Sequence, residues 1–311
     1  MWCDFPFRRL IAGLAAILLS PALQAADSFR VASYNVENYL DQPTESRPHP
    51  KSPEAKAKVC ESILALKPDV VALQEIGTTN ALLELRDSLK AGGLDLPYWE
   101  HVTGFDTNIH VAVLSRFPFT ARRPHTKESF LLSGRRFHVS RGFAEVEIKV
   151  DANYSFTLIT AHLKSKRTIP EADETEMRLR EARALREIID ADLSANPNLN
   201  LIVLGDLNDS VNSDSTRTVI GRGKHKLIDT RPSERNGDHA WQPHPGSSPR
   251  TVAWTHFYGI EDNYSRIDYI LLSPGMAREW REDETYVLAI TDWGIGSDHR
   301  PLVATFNAVD K

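Results

Sequence analysis

Residues 201–209 read LIVLGDLND. Leu201, Ile202, Val203 and Leu204 form an unbroken apolar run, the pattern of a strand buried on both faces. The run stops at Gly205, and Asp206, Asn208 and Asp209 follow at once. A core strand that ends in so many oxygen ligands points beyond packing to chemistry.

The same design recurs along the chain. FRVASYNVEN (29–38), DVVALQEI (69–76), HVAVLSRF (110–117), SFTLITAHL (155–163), SRIDYILLS (265–273) and PLVATF (301–306) are short apolar runs that meet polar residues. Between some of them lie amphipathic helical stretches at 53–66, 79–90 and 173–195. The last of these places Met177, Leu185, Ile188, Ile189 and Leu193 on one side, with charge elsewhere. No repeat, low-complexity tract or Pro/Gly/Ser linker divides the chain, so residues 26–311 read as a single α/β domain. The one long irregular stretch, 208–250, is either a loop bordering a site or a solvated insertion.

The chain has 311 residues, 41% hydrophobic and 25% charged, an ordinary globular composition. Its first 25 residues carry Arg8-Arg9, an apolar run over 10–19 and small residues near Ala25, the layout of a cleaved secretory signal. The run is about half of the roughly 20 residues that a membrane span needs, which disfavours an anchor. Export to the periplasm or medium is therefore expected, with no stable membrane insertion once the signal is cleaved. Removing Asp4, Arg8 and Arg9 moves the net charge from −5 to −6. Cys3 leaves with the signal, and Cys60 alone allows no intrachain disulfide. Its helical context, Val59, Ile63 and Leu66, reads as a small core position rather than a catalytic thiol.

The polar residues that close the apolar runs form a set: Asn35, Glu37, Glu75, His162, Asp206, Asn208, Asp268, Asp298 and His299. One carboxylate after a strand is usually a cap or a turn. Five of them at converging strand ends would repel one another strongly unless a cation lies between them. Oxygen-rich donors without cysteine favour Mg²⁺, Mn²⁺ or Ca²⁺ over Zn²⁺.

These motifs, in this order, resemble the endonuclease/exonuclease/phosphatase superfamily, the metal-dependent fold of DNase I and the exonuclease III type repair nucleases. The resemblance spans about residues 30–306. It implies a four-layer α/β sandwich, two packed mixed sheets flanked by helices, that hydrolyses phosphate esters at one edge. By that resemblance Glu75 is the principal metal ligand, with Asn35, Glu37 and Asp298 beside it. Asp206 aligns the attacking water, Asn208 donates to the transition state, and His299, oriented by Asp268, contacts the scissile phosphate. His162 matches a histidine that DNase I-like members pair with an acid on an earlier strand. Here that place holds Ile109 or His110, and Asp106 is the substitute on offer.

The substrate is less legible. A pI near 6.1 gives no global basic field for nucleic acid. Lys164, Lys166 and Arg167 leave the strand directly after His162 and read as a phosphate-binding cluster. Arg122-Arg123, Arg135-Arg136, Arg141 and Arg222/Lys224/Lys226 read as solvated charge, with a phosphate-binding rim as the alternative. An exported nuclease is the leading expectation. A phosphatase or phospholipase C-like hydrolase of inositol phosphates, sphingomyelin or other small esters is the alternative. Against it, GDLND lacks the Tyr-Arg pair of inositol phosphatases, and no exposed aromatic hairpin for membrane insertion is evident, Trp241, Trp254, Phe257 and Tyr258 being split by polar residues. A non-catalytic binding protein on the same fold fits poorly with a complete motif set. Nothing in the sequence calls for an obligate protein partner.

Overall fold

The computed structural model describes residues 27–235 and 252–310. The signal reading of residues 1–25 and Trp241 lie outside the described residues. One sheet has seven strands, ordered β12 (Ser233–Glu234), β16 (Trp280–Val287), β17 (Leu302–Asn307), β1 (Ser28–Tyr39), β2 (Val70–Ile76), β4 (His110–Ser115), β3 (Tyr98–Val102). The other has six, ordered β11 (Ile228–Asp229), β15 (Asp268–Leu272), β10 (Leu201–Asp206), β9 (Ser155–His162), β8 (Phe143–Lys149), β5 (Phe119–His125). Two hairpins, β6–β7 (Ser129–Leu132, Arg135–His138) and β13–β14 (His256–Tyr258, Asn263–Ser265), stand apart from both sheets.

Each sheet is built around one parallel pair, β1–β2 and β9–β10. Parallel neighbours need a crossover, supplied by α1 (Pro53–Leu66) in the first case and α3 (Glu174–Ala195) in the second. Local chemistry starts each helix: the Ser52 hydroxyl accepts from the Ala55 amide and Asp173 from the Glu176 amide, both N-caps. Every other pairing within the two sheets is antiparallel except β12–β16, so both sheets are mixed. All seven apolar runs are strands.

Three apolar clusters define the layers. Phe29, Val31, Val70, Ile202, Leu204, Ile270 and Phe306 pack between the sheets. Val59, Ile63, Leu82 and Leu85 of α1 and α2 (Thr79–Ala91) cover the outer face of the seven-stranded sheet. Leu185, Ile189 and Leu193 of α3 cover the six-stranded one. The result is helix–sheet–sheet–helix, the expected four-layer α/β sandwich. Leu201 and Val203 face α3 while Ile202 and Leu204 face the other sheet, so the run is apolar because both of its faces are buried.

The fold differs from sequence expectation in places. On α3, charge is not confined to the outer side: Arg178, Glu181 and Arg186 are buried. They serve the backbone there, with Arg186 donating to Val219 and His225 carbonyls and Glu181 accepting from the Ser140 and Lys164 amides. The stretch after Asn208 is not wholly irregular, since it folds into α4 (Asp214–Ile220), capped by Ser213, and the short strands β11 and β12. Cys60 is half-buried at the edge of its cluster, and burial raises its thiol pKa, which keeps it unreactive.

Candidate active site

The strand ends converge where the two sheets meet. Asn35 and Glu75 come from the seven-stranded sheet, and His162, Asp206 and Asp268 from the six-stranded one. The Asn35 amide nitrogen joins them, 3.0 Å from Asp206 Oδ2 and 3.4 Å from Glu75 Oε1.

Backbone irregularity aims these groups. In the β2–β4 ladder Gln74 pairs with Val111 and Ile76 with His110, which leaves Glu75 as the extra residue of a bulge with φ 63°. Asn208 has φ 55°, and Glu37 and Asn38 are left-handed as well, where β1 slips register against β2. Left-handed non-glycine residues cost energy and persist where surrounding contacts hold them, as at functional sites. Gly205 has φ 129°, and a Cβ there would sit 2.0 Å from the Ala161 carbonyl oxygen. Only glycine lets β10 run that close to β9 and set Asp206 beside His162.

Asp206 is buried, accepting from the Asn208 amide at 2.8 Å and from Asn35. Burial, then the charge of Asp268, pushes its carboxyl above the usual carboxylate range, although His299 pulls the other way. His299 is buried too, its Nδ1 2.8 Å from Asp268 Oδ2. Burial alone would lower its pKa. The charge and hydrogen bond of Asp268, with Asp206 and Asp298, override that and hold it well above the ordinary value, so it is an imidazolium at neutral pH. Its Nε2 lies 3.8 Å from both Asp206 Oδ2 and Asp298 Oδ1. Asn208 donates to the Leu163 carbonyl at 2.9 Å. Asp209, the third polar residue of the opening stretch, is structural, tied to Arg178 and Ser215.

His162 is placed as expected, its Nε2 3.5 Å from Asp206 Oδ2 and 3.8 Å from Glu75 Oε1. Burial and the nearby Arg141 charge hold its pKa well below the ordinary value, so it is neutral and offers a hydrogen bond rather than an acidic proton. The substitute acid does not reach it: Asp106 lies 3.6 Å from Arg141 Nε and caps the Asn108 amide, and His162 Nδ1 has no hydrogen-bond partner. His110, at the aligned place, is buried and packs edge-on against His101. Burial and His101 lower its pKa to about 4. An unfolded histidine titrates near 6.5, so between these values the unfolded chain binds the extra proton, and stability is lost as pH falls through that window. His110→Leu is therefore expected to flatten the acid side of the stability profile by about 2 kcal/mol, read as urea midpoints between pH 7 and pH 4.5.

The expected metal ligands form a looser group. The Asp298 amide donates to Glu37 Oε2 at 3.2 Å, and the Asn38 amide to Glu75 Oε2 at 3.0 Å. Burial, then the charge of Asp298, raises the Glu37 pKa, with Glu75 adding to it while Lys51 and the Asp298 amide oppose it. Asp298, only partly buried, is kept ionised by His256 and His299. Crowded carboxylates, with the Lys51 ammonium 3.5 Å from Glu37, suit a hard divalent cation. Among the described residues, the triplets whose ligating atoms lie within 4.8 Å are His256–Asp298–His299 and Asp206–Asp268–His299, and neither includes Glu75. The second is satisfied internally as a carboxylate–imidazolium–carboxylate chain. Of the expected ligands only Asp298 belongs to the first triplet, with His256 and His299, and Glu75 and Glu37 lie outside both.

Two residues join the site that the sequence set lacked. His256 lies with Nε2 3.5 Å from Asp298 Oδ2 and packs against the His299 ring at 4.6 Å. Its only sequence signal is a histidine twelve residues before Asp268. Arg141, read as solvated, is buried, donates to the Leu163 carbonyl and leaves Nε without a hydrogen bond. Conversely, Lys164 is not aimed at substrate, since its ammonium is turned onto the Ser165 and Arg167 carbonyls. Lys166 and Arg167 are exposed, with Lys166 3.9 Å from Asp209. Arg122 and Arg123 pair with Glu100 and Glu145, and Arg222 and Lys226 line a separate cleft of about 690 Å³. An exposed hairpin does stand beside the site, contrary to expectation: β13–β14 begins at His256 and exposes Tyr258, Tyr264 and Ile260, the last 85% bare. Trp254 is the loop anchor expected, lying under the Arg300 guanidinium.

Two face-to-face sheets with a carboxylate–histidine centre at one edge define a phosphoester hydrolase of the DNase I-like class. The chain belongs to the Endonuclease/Exonuclease/phosphatase family, whose sequence profile matches residues 32–299. No curated protein matches it by sequence. Among solved structures, the human Nocturnin catalytic domain superposes with TM-score 0.61 at 15% identity, covering 91% of this chain and 95% of that one. Truncated Caenorhabditis elegans TDP2 gives 0.59 at 16% identity, covering 90% and 98%. Sphingomyelinase C from Streptomyces griseocarneus gives 0.56 at 19% identity, covering 91% and 100%. At these identities the likeness is one of fold.

Proposed function

We propose that the protein is an exported, divalent-metal-dependent nuclease that hydrolyses phosphodiester bonds by in-line attack of water. The observation that carries the reading is the Asn35 amide bridging Glu75 and Asp206 across the two sheets, with the His299 imidazolium facing the same point. Ionised Asp206 accepts a proton from the attacking water. The His299 Nε2–H and the Asn208 amide, once turned from Leu163, donate to the non-bridging oxygens as charge builds there. Neutral His162 and Arg141 position the phosphate from the other side. Glu75, with Glu37, Asp298 and Asn35, would hold Mg²⁺ or Mn²⁺, with Ca²⁺ a weaker candidate; the ion supplies Lewis-acid stabilisation of the phosphate and leaving oxygen. Buried Arg141, just before β8, and exposed Lys166 and Arg167, just after the paired end of β9, favour a polyanionic substrate. Export rests on the sequence of residues 1–25, and no described helix is long and apolar enough to cross a membrane.

The test is nicking of supercoiled plasmid. Nicking is expected in Mg²⁺ or Mn²⁺, stopped by EDTA, and falling steeply between about 50 and 200 mM salt because several phosphate contacts release counterions. A folded protein that cuts neither plasmid nor single-stranded oligonucleotide in either metal ends the nuclease reading.

A second reading is favoured by the β13–β14 hairpin. Exposed Tyr258, Ile260 and Tyr264 beside the site would suit a phosphodiester presented at a bilayer surface. Release of phosphocholine from sphingomyelin vesicles, with no plasmid nicking, would select it.

A further inference from the structure

Phe105, on the loop over residues 103–109, is 70% exposed. Single exposed phenylalanines are ordinary on protein surfaces, but three features set this one apart. One face of its ring rests on His138, the centroids 5.0 Å apart and the planes 11° from parallel. The ring is thus held flat, with its other face in solvent. The loop is also locked to the catalytic edge. The Asp106 amide donates to the Ser140 carbonyl at 2.6 Å, and Asp106 faces Arg141, which shares the Leu163 carbonyl with Asn208. At Gly104 a Cβ would lie 2.3 Å from the Arg141 carbonyl carbon, so the approach is close. Finally, the hairpin under the ring carries cations. Exposed Arg136 donates to Ser129, the strand partner of His138, Arg135 is exposed beside it, and exposed Lys166 and Arg167 follow β9.

We propose that Phe105, backed by His138, is a stacking shelf for one unpaired nucleobase next to the scissile phosphate. The protein therefore acts on single-stranded or frayed polynucleotide in preference to closed duplex. The inference rests on the nuclease reading and adds the strandedness of its substrate. A planar ring with one free face accepts any base, and arginines alongside hold the backbone, the combination by which proteins take single strands without sequence preference. A base inside a closed duplex is already stacked on both faces and has none to offer.

The experiment uses a single-stranded octanucleotide carrying 2-aminopurine, moved stepwise along it, with an Asp206→Asn protein in Mg²⁺ to prevent turnover. Fluorescence is expected to be quenched at one position, the quench to vanish in Phe105→Ala and to return in Phe105→Tyr. Affinity falls about tenfold in Phe105→Ala, but not for an oligonucleotide abasic at that position. With Asp206 intact, Phe105→Ala loses the preference for single-stranded over duplex substrate. Unchanged quenching and affinity in Phe105→Ala overturn the shelf while the nuclease reading stands. A protein that neither binds nor cuts any oligonucleotide, yet hydrolyses small esters or lipid head groups, overturns both.

Discussion

Asp206→Asn lowers turnover by at least about 10²-fold, the scale of losing a general base, and does so without lowering the melting temperature. The two halves of this expectation share one cause. Asp206 is buried beside Asp268, and both effects raise its pKa in the folded state. A raised carboxyl pKa means that the folded protein binds more protons than the unfolded chain above pH 3.8, so stability falls as pH rises through the folded value. At neutral pH the ionised group is a cost that the fold tolerates for its chemistry. Asparagine keeps an oxygen for the Asn208 amide and removes the cost of the charge, but turns its nitrogen towards the Asn35 amide nitrogen, which holds the net gain to about a degree or two in a domain of this size. Asp206→Ala shares the kinetic loss. The measurements are hydrolysis rates on plasmid and on a small diester, with thermal melts at pH 7. Activity within tenfold of wild type in a folded variant removes Asp206 from the mechanism. A melting temperature lowered by several degrees would instead show the carboxylate to be a net stabilising partner of His299.

His299→Ala is expected to cost a similar factor in turnover and to move stability the other way. The imidazolium lies between Asp268 at 2.8 Å and Asp206 at 3.8 Å. Deleting it leaves two buried carboxylates without their cation, an arrangement that costs about 3–5 kcal/mol. The variant still folds on the stability of an ordinary domain, and its deficit shrinks as pH falls and Asp206 takes up its proton. In Asp206→Asn/His299→Ala the stability effects should not add, because the first change removes part of what the second leaves unpaired. Urea denaturation of the four proteins at pH 5 and pH 7 reads this directly. Additive effects at both pH values would rule out the coupled chain. Retained activity in folded His299→Ala would falsify its role at the phosphate.

The sequence by itself determined the scaffold. Buried strands and helix faces are written in local patterns, so seven of the strands and α1 to α3 were legible from apolar runs and helical spacing alone. The polar residues that stop those runs were legible for the same reason: they break a pattern. Strands that do not follow it were hidden. β16, WREDETYV, carries charge along its length, and β8 buries Glu145 in the pairing with Arg123 and His125. Charged residues that serve distant backbone, such as Arg178, Glu181 and Arg186, look from sequence like a solvated helix face.

Only the tertiary structure decided which polar groups work together. Packing of one sheet on the other brings Asn35 within 3.0 Å of Asp206 across 171 residues of chain and sets Asp268 on His299, while α3 takes Asp209 instead. It also overturns local appearance in both directions, turning Lys164 inward onto carbonyls and placing Arg141 and His256 at the centre. The physical reason is range. Propensity and hydrophobic period are set by neighbours along the chain, whereas a pKa, an ion pair or a stacking face is set by groups that only packing brings within a few ångströms.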